Sequence, residues 1–287
     1  MMQAKTALVT GSTDGLGREV ALRLGRAGFR VLVHGRDAQR GEAVVAEIAA
    51  AGGAARFLAA DFSSLAAVRS LAQSVVADSP RLTLLIVNAG IGTGGRGARR
   101  ATSIEGLELT LAVNYLAGFL LTEQLLPALE AGAPARIVNV ASAGQYPLDF
   151  DNLMLTRAYS GMRAYAQSKL AQVMYTFDLA ERLRDTGVTV NCLHPATYMD
   201  TNMVRTAGAT PVSTVAQGAD AVMQLATSGS LPVATGGYFD GKELARAHDQ
   251  AYDSTARARL RVLSLELTGM SHEQSQPGSD ESADRAG

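Results

Sequence analysis

The sequence predicts an α/β fold, a single doubly wound domain with a mostly parallel sheet and helices on both faces, and two observations carry that prediction. Short apolar runs rich in β-forming residues recur at residues 6–9, 30–33, 55–59, 82–87, 136–140 and 188–193, and longer helical stretches lie between them. Runs without strict polar alternation suit strands covered on both faces, and their alternation with helices suits a parallel sheet. A late pair, Tyr238 and Phe239, adds an edge strand.

Taken in order, the first run ends in Thr10-Gly11-Ser12-Thr13-Asp14-Gly15-Leu16-Gly17 and enters a helical pattern over 18–27. The second runs into His34-Gly35-Arg36-Asp37, and the third into Asp61 and Phe62 ahead of a helix beginning near Ser63 or Ser64. After the fourth come Asn88-Ala89-Gly90 and a glycine-rich loop holding Arg96, Arg99 and Arg100. The longest apolar stretch, 109–129, contains Asn114, Glu123, Gln124 and Pro127. Those polar groups are costly in a bilayer, so it reads as a buried soluble helix and no membrane span is expected. Residues 213–227 read as a further helix and 242–267 as mainly helical. Residues 270–287 carry almost no large apolar side chains to offset the entropy of ordering, which predicts a disordered polar tail after a domain of 1–269.

Composition bounds the function classes. Apolar residues make up 47% of the 287 positions and charged residues 18%, enough for a sizeable core. Twenty-six Lys and Arg against 27 Asp and Glu leave a net charge of -1, which gives no general attraction to nucleic acid or anionic membrane. The single cysteine, Cys192, has no disulfide partner, and with four scattered histidines (His34, His194, His248, His272) it makes no metal-ligand spacing, so no metal is expected. No signal-peptide zones precede the first strand, and the expected compartment is cytoplasmic.

Strand, glycine turn and helix in that order form a dinucleotide site by chemistry. Missing side chains at Gly11, Gly15 and Gly17 let the backbone turn tightly and approach a pyrophosphate, and the helix N-terminus offers free N–H groups and positive dipole. The spacing is TGxxxGxG rather than GxGxxG. At the end of the second strand Arg36 can pair with a ribose 2′-phosphate through its planar guanidinium, which favours NADP(H) over NAD(H); alternatively Asp37 accepts the ribose hydroxyls.

Together with Asn88-Ala89-Gly90, Asn114, Ser142 and Tyr165-Ala166-Gln167-Ser168-Lys169, the first motif resembles the short-chain dehydrogenase/reductase family over roughly residues 5–269. The stretch from Arg163 to Ala171 and the late Gly237-Tyr238-Phe239 look most like its retinol-dehydrogenase-like and WW-domain-oxidoreductase-like group. The resemblance implies a three-layer Rossmann domain with the substrate cleft beside the nicotinamide at the C-terminal edge of the sheet. It implies a cofactor surface of Gly11, Ser12, Thr13, Gly15, Leu16, Gly17, Arg36, Asp61, Phe62, Asn88, Ala89, Gly90, Tyr165, Lys169, Pro195 and Thr197. Asp61 either contacts the adenine edge or caps the following helix, and either Thr197 or Thr201 binds the nicotinamide carboxamide. Asn88 either contacts the cofactor or stabilises neighbouring strands.

Tyr165 and Lys169 lie four residues apart on a predicted helix, hence on one face. A phenol with a pKa of about 10 is protonated near neutrality and can donate to a developing alkoxide; a neighbouring Lys169 cation favours the tyrosinate needed in reverse. By resemblance, Lys169 also bonds the nicotinamide ribose, Ser142 polarises the substrate carbonyl, and Asn114 holds a water linking Lys169 to solvent.

Two departures stand out: Pro195-Ala196 where the family often has Pro-Gly, and Asp14 where NADP-preferring relatives often carry a basic residue. Tyr146, Phe150, Met154, Tyr198 and Met203 either line an apolar substrate pocket or pack ordinarily. The expected activity is NADPH-dependent carbonyl reduction, reversibly alcohol oxidation, of a small-to-medium apolar substrate, with Tyr165 as general acid and base. The alternative is a regulatory or scaffold protein that keeps the cofactor cleft without turnover. The resemblance further implies a homodimer or homotetramer built on long helices.

Overall fold

The computed structural model describes residues 5–95, 97–229 and 235–271; Arg96, His272 and the rest of the expected tail lie outside the described residues. The described strands are β1 (Thr6–Val9), β2 (Arg30–Gly35), β3 (Ala54–Ala59), β4 (Leu84–Val87), β5 (Ala135–Val140), β6 (Val188–His194), β7 (Tyr238–Asp240) and β8 (Glu243–Ala245). They form one sheet in the order β3-β2-β1-β4-β5-β6-β7-β8. Each neighbouring pair is parallel except β7 with β8. This is the doubly wound Rossmann arrangement, and its order reverses between β1 and β4.

The strands lack polar alternation because both faces are covered. Ala7, Val9, Val31, Val33, Leu84 and Ile86 pack beneath α1 (Gly15–Arg26), α2 (Ala38–Ala50) and α8 (Val215–Thr227). Leu8, Leu32, Leu85 and Val87 pack on the opposite side with α3 (Leu65–Asp78), α5 (Ala117–Ala131) and α6 (Gly161–Arg182). Short polar residues stop the chain before the helices: Asp37, Ser64, Ser160 and Thr214 each accept an N–H from the first turn of the helix that follows.

Several boundaries differ from the sequence expectation. Tyr238 and Phe239 are not the edge; β8 is, paired Asp240 with Glu243 across a turn where Gly241 adopts φ +57°. The stretch expected to be mainly helical therefore begins as a strand, passes through a short 3-10 turn at Asp249–Tyr252 and only then forms α9 (Ser254–Thr268), capped by Asp253. Leu82 precedes β4 because its N–H bonds Ala128 O at 2.9 Å. Met270 extends the packed domain past 269, since its N–H reaches Leu265 O at 2.9 Å and its side chain meets the core.

The long apolar stretch forms α4 (Leu109–Leu111), a π turn at Ala112–Leu116 and then α5. Buried Glu108 starts it by accepting the N–H groups of Thr110 and Leu111. By length and composition Leu109–Ala131 could cross a membrane, yet 89% of its apolar window is buried inside the protein, so it serves here as a core helix. Within the chain α3 packs on α5 and α9 on α6. The long helices expected at an oligomer contact thus already have intramolecular partners, including Tyr115 to Ser264 at 2.7 Å and Arg257 to Glu181 at 2.6 Å.

Candidate active site

The carboxyl ends of β1, β4 and β5 meet where the strand order reverses, the place in such sheets where a crevice opens. The glycine turn sits there. Gly11 and Gly15 adopt φ of +63° and +51°, and a side chain at Gly11 would meet Ala89 Cα at 2.8 Å. Gly17 serves a different purpose: a Cβ there would collide with Gly11 O and the Asn88 amide, so its bareness lets α1 close onto the turn. Asn88 staples that turn, donating from Nδ2 to Thr10 O (2.9 Å) and Gly11 O (3.1 Å). The Thr10 hydroxyl in turn accepts the N–H groups of Asn88 and Ala89.

Ser12 turns inward, its hydroxyl donating to Val9 O at 2.7 Å and its N–H to His34 O at 2.8 Å. Leu16 is buried with Gly218 of α8 against it. Phe62 is also buried, its ring stacked on His34 at 4.5 Å. His34 is structural: its Nδ1 accepts the Gly11 N–H at 3.2 Å, so it shapes the turn itself. Burial lowers its pKa to about 4, and it is neutral at pH 7. Its place at the strand end, two residues before Arg36, was the available signal.

Thr13, Arg36, Asp37, Arg40 and Asp61 line a cleft of about 640 Å³. Asp37 caps α2 through the Arg40 N–H (3.1 Å) and pairs with the Arg40 side chain (3.4 Å), which commits its carboxylate. Asp61 accepts the Ser63 N–H at 2.9 Å, while the cap of α3 is Ser64; the capping alternative for Asp61 is therefore replaced by a turn bond. Arg36 is 71% exposed and stands 4.0 Å from the Asp61 carboxylate. Arg40, one helical turn along, brings a second guanidinium to this cleft that the sequence reading did not single out.

The other half of the crevice is more deeply built. Ser142 follows β5; its hydroxyl accepts the Gly144 N–H at 3.1 Å, and a Cβ at Gly144 would lie 3.6 Å from that hydroxyl and 4.0 Å from the Tyr165 ring. Burial pushes the Tyr165 phenol's pKa up and the nearby Ser142 hydroxyl pulls it down, with burial prevailing. Lys169, 5% exposed, holds Nζ 5.7 Å from the Tyr165 ring centroid and donates to Val140 O at 2.9 Å and Gln172 Oε1 at 2.9 Å. Desolvation lowers its pKa to about 7. Gly90 lies beside the pair: a Cβ there would stand 3.8 Å from Nζ. Asn114, in the π turn, bonds Ile91 on both sides, accepting its N–H (2.7 Å) and donating to its O (3.1 Å), and also donates to Ser168 (3.1 Å). Both amide hydrogens are taken, whereas Oδ1 holds one N–H and keeps a second lone pair.

Pro195 is buried at the foot of the segment after β6. Ala196 is not among the residues with positive φ, so this backbone does not need glycine there; Tyr198 (φ +43°) takes the left-handed turn instead. Thr197 pairs through its hydroxyl with His194 Nε2 at 3.0 Å, and Thr201 caps α7 (Asn202–Thr206) with its methyl 3.2 Å from where a Gly15 Cβ would lie. Asp14 accepts the Gly15 N–H at 2.8 Å and the Asn202 amide at 2.5 Å, tying α7 to the glycine turn. The proposed pocket residues divide: Phe150 and Met154 pack against the core, whereas Tyr146, Tyr198 and Met203 are exposed. Cys192 is buried, its thiol pushed up to about 12 by desolvation, which suits packing rather than nucleophilic chemistry.

A glycine turn at a helix N-terminus, sharing one crevice with a phenol, a hydroxyl and a buried amine, defines a dinucleotide-dependent oxidoreductase of the Rossmann type. The family profile for short chain dehydrogenase matches residues 5–211. Human retinol dehydrogenase 11 is 33% identical over 282 residues, covering 94% of this chain and 87% of that protein. Among solved structures, a metagenomic short-chain oxidoreductase in complex with NADP superposes with a TM-score of 0.63 at 30% identity, covering 79% of this chain and 93% of that one. The actinorhodin polyketide ketoreductase, an engineered variant solved with NADPH, gives 0.68 at 27% identity, with 83% and 95% covered. The chain belongs to the short-chain dehydrogenase/reductase family, in its retinol-dehydrogenase-like group.

Proposed function

We propose that this protein is an NADPH-dependent carbonyl reductase, working reversibly as an alcohol dehydrogenase on a small-to-medium apolar substrate. The observation that carries the reading is the grouping of the Ser142 hydroxyl and the Tyr165 ring beside Gly144, with the Lys169 amine 5.7 Å from the centre of that ring. The residues present fit the dinucleotide: a bare glycine turn for the pyrophosphate, Arg36 and Arg40 for the 2′-phosphate, and Lys169 for the nicotinamide ribose. With Asp37 committed to its helix cap, the ribose end is left chiefly to guanidinium groups, which favours NADP(H). When bound, the nicotinamide supplies hydride to the carbonyl carbon or accepts it from the alcohol carbon.

Ser142 donates a hydrogen bond to the carbonyl oxygen and orients it. Tyr165 transfers its phenolic proton to that oxygen as negative charge develops, leaving a tyrosinate that Lys169 stabilises when charged. In the oxidative direction the tyrosinate takes the hydroxyl proton back. Apolar selectivity is supported by Tyr146 and Met162, exposed near Ser142 and Tyr165 in the chain, and by Tyr198, Met203 and Val212, exposed on the segment after β6. The test is oxidation of NADPH, and separately NADH, against a panel of aldehydes, ketones and quinones. Turnover preferring NADPH is expected; tight NADPH binding with no turnover on any carbonyl would overturn the reading in favour of a regulatory role.

A further inference from the structure

The Lys169 ammonium has three N–H donors, and the protein already takes two of them. One goes to a main-chain oxygen, Val140 O. The other goes to a side chain, Gln172 Oε1, which lies one turn further along α6 and is 3% exposed. Lysine offers no acceptor, so the amide must present its oxygen to Nζ. The third donor is left on the side of Gly90 and the Tyr165 ring, where the crevice opens. Asn114 directs its amide to Ile91 and Ser168, and no hydrogen bond joins it to the ammonium among the described residues.

We propose that Gln172 is a positioning residue: its amide oxygen fixes the rotation of the Lys169 ammonium so that one N–H faces the ribose and tyrosine side, and keeps that ammonium charged in a dry site. This rests on the functional reading above for what Lys169 does there. A hydrogen bond accepted from the charged form favours that form, and burial disfavours it, so Gln172 opposes the desolvation of Lys169. The groups packed around Nζ otherwise carry no charge of their own: Val140 O from β5, Gly90 from the segment after β4, and Asn114 behind it in the π turn. The titratable group facing it is Tyr165 on α6 itself. No carboxylate or basic side chain acts on Lys169 among the described residues; burial is the cause of its shift.

The chain has only three lysines, Lys5, Lys169 and Lys242, so a protein carrying lysine labelled with ¹³C at Cε gives three resonances, and Lys169→Met assigns the one that matters. A pH titration without cofactor is expected to move the Lys169 midpoint down by about one pH unit in Gln172→Met, which removes the acceptor. Gln172→Glu is expected to move it up, while Lys5 and Lys242 stay fixed. Above both midpoints a one-unit drop leaves about tenfold less ammonium, so NADPH affinity of Gln172→Met should fall about tenfold at alkaline pH and less at pH 6. An unchanged Lys169 midpoint in a folded Gln172→Met overturns the proposal. So does an unchanged midpoint in Gln172→Glu, which keeps the side-chain length should the methionine variant not fold. Because the titration needs no turnover, a shifted midpoint in a protein that reduces no carbonyl would refute the proposed function and leave this role for Gln172 standing.

Discussion

The two halves of the crevice are built on different principles. On the β1–β2–β3 side the ligand-facing groups are backbone and exposed charge: bare glycines, then Arg36, Arg40 and Asp61 around an open cleft. Many of the polar contacts there are local, as in Asp14 to Gly15, Asp37 to Arg40 and Asp61 to Ser63. On the β5–α6 side the groups are buried and their partners distant in sequence: Asn114 with Ile91 and Ser168, Lys169 with Val140. The lesson is that the groups offered to the dinucleotide are largely at the surface of this chain, whereas those of the proposed proton chemistry are embedded in the core. Substitutions on the first side should cost affinity, and those on the second should cost stability and rate together.

Asn114→Ala gives the largest contrast. It leaves the Ile91 N–H and O unpaired in a half-buried place and opens a gap at the fully buried Asn114, and we expect about 3 kcal/mol lost in denaturant unfolding, accompanied by a fall in turnover. Full stability with the loss of activity alone would show that the catalytic half is not core after all.

His34 is where the cofactor side dips into the interior. Its folded pKa is about 4 against 6.5 when exposed. Below about pH 6.5 the unfolded chain therefore takes up a proton that the native protein refuses until about pH 4, and stability falls as pH falls through that window. The loss by pH 4 is about 3 kcal/mol, and unfolding free energies of the wild type and His34→Gln across this range would show it as a slope missing from the variant. An identical slope in both would mean His34 is hydrated.

Arg36→Ala should weaken NADPH binding by about 2 kcal/mol, roughly 30-fold, with NADH binding and thermal midpoint little changed. Equal losses for both cofactors would take the 2′-phosphate away from this residue. Thr214→Ala, at the capping box of α8 and away from the catalytic cluster, should cost about 1 kcal/mol of stability and leave rate and affinity alone. A changed rate there would mean that the halves communicate through α8.

The same contrast explains what was legible in the sequence. Glycines at a strand-to-helix turn and short polar caps are local devices, so the turn, Arg36 and the helix starts are visible in a one-dimensional pattern. Tyr165 and Lys169 share a helix face through their spacing alone. What the pattern does not carry is partnership across the fold. The Asn114 amide bonds Ile91, 23 residues away, and the imidazole of His34 reaches back by the same interval to the N–H of Gly11. Gln172 lies three residues beyond Lys169 and could have been noticed, yet only the burial of both side chains makes the pairing matter. The strand β8 was missed because small and charged residues in 242–267 mimic a weak helical face, and the turn at Gly241 overrides it.

The division of labour is tested most directly by measuring, on one preparation of Tyr165→Phe, both the NADPH dissociation constant and the single-turnover rate of NADPH oxidation with the best carbonyl substrate. The expected result is affinity within about threefold of the wild type and a rate lower by about 10²–10⁴-fold, the usual contribution of a positioned general acid. A rate close to the wild type's would contradict the assignment of Tyr165 as the proton donor.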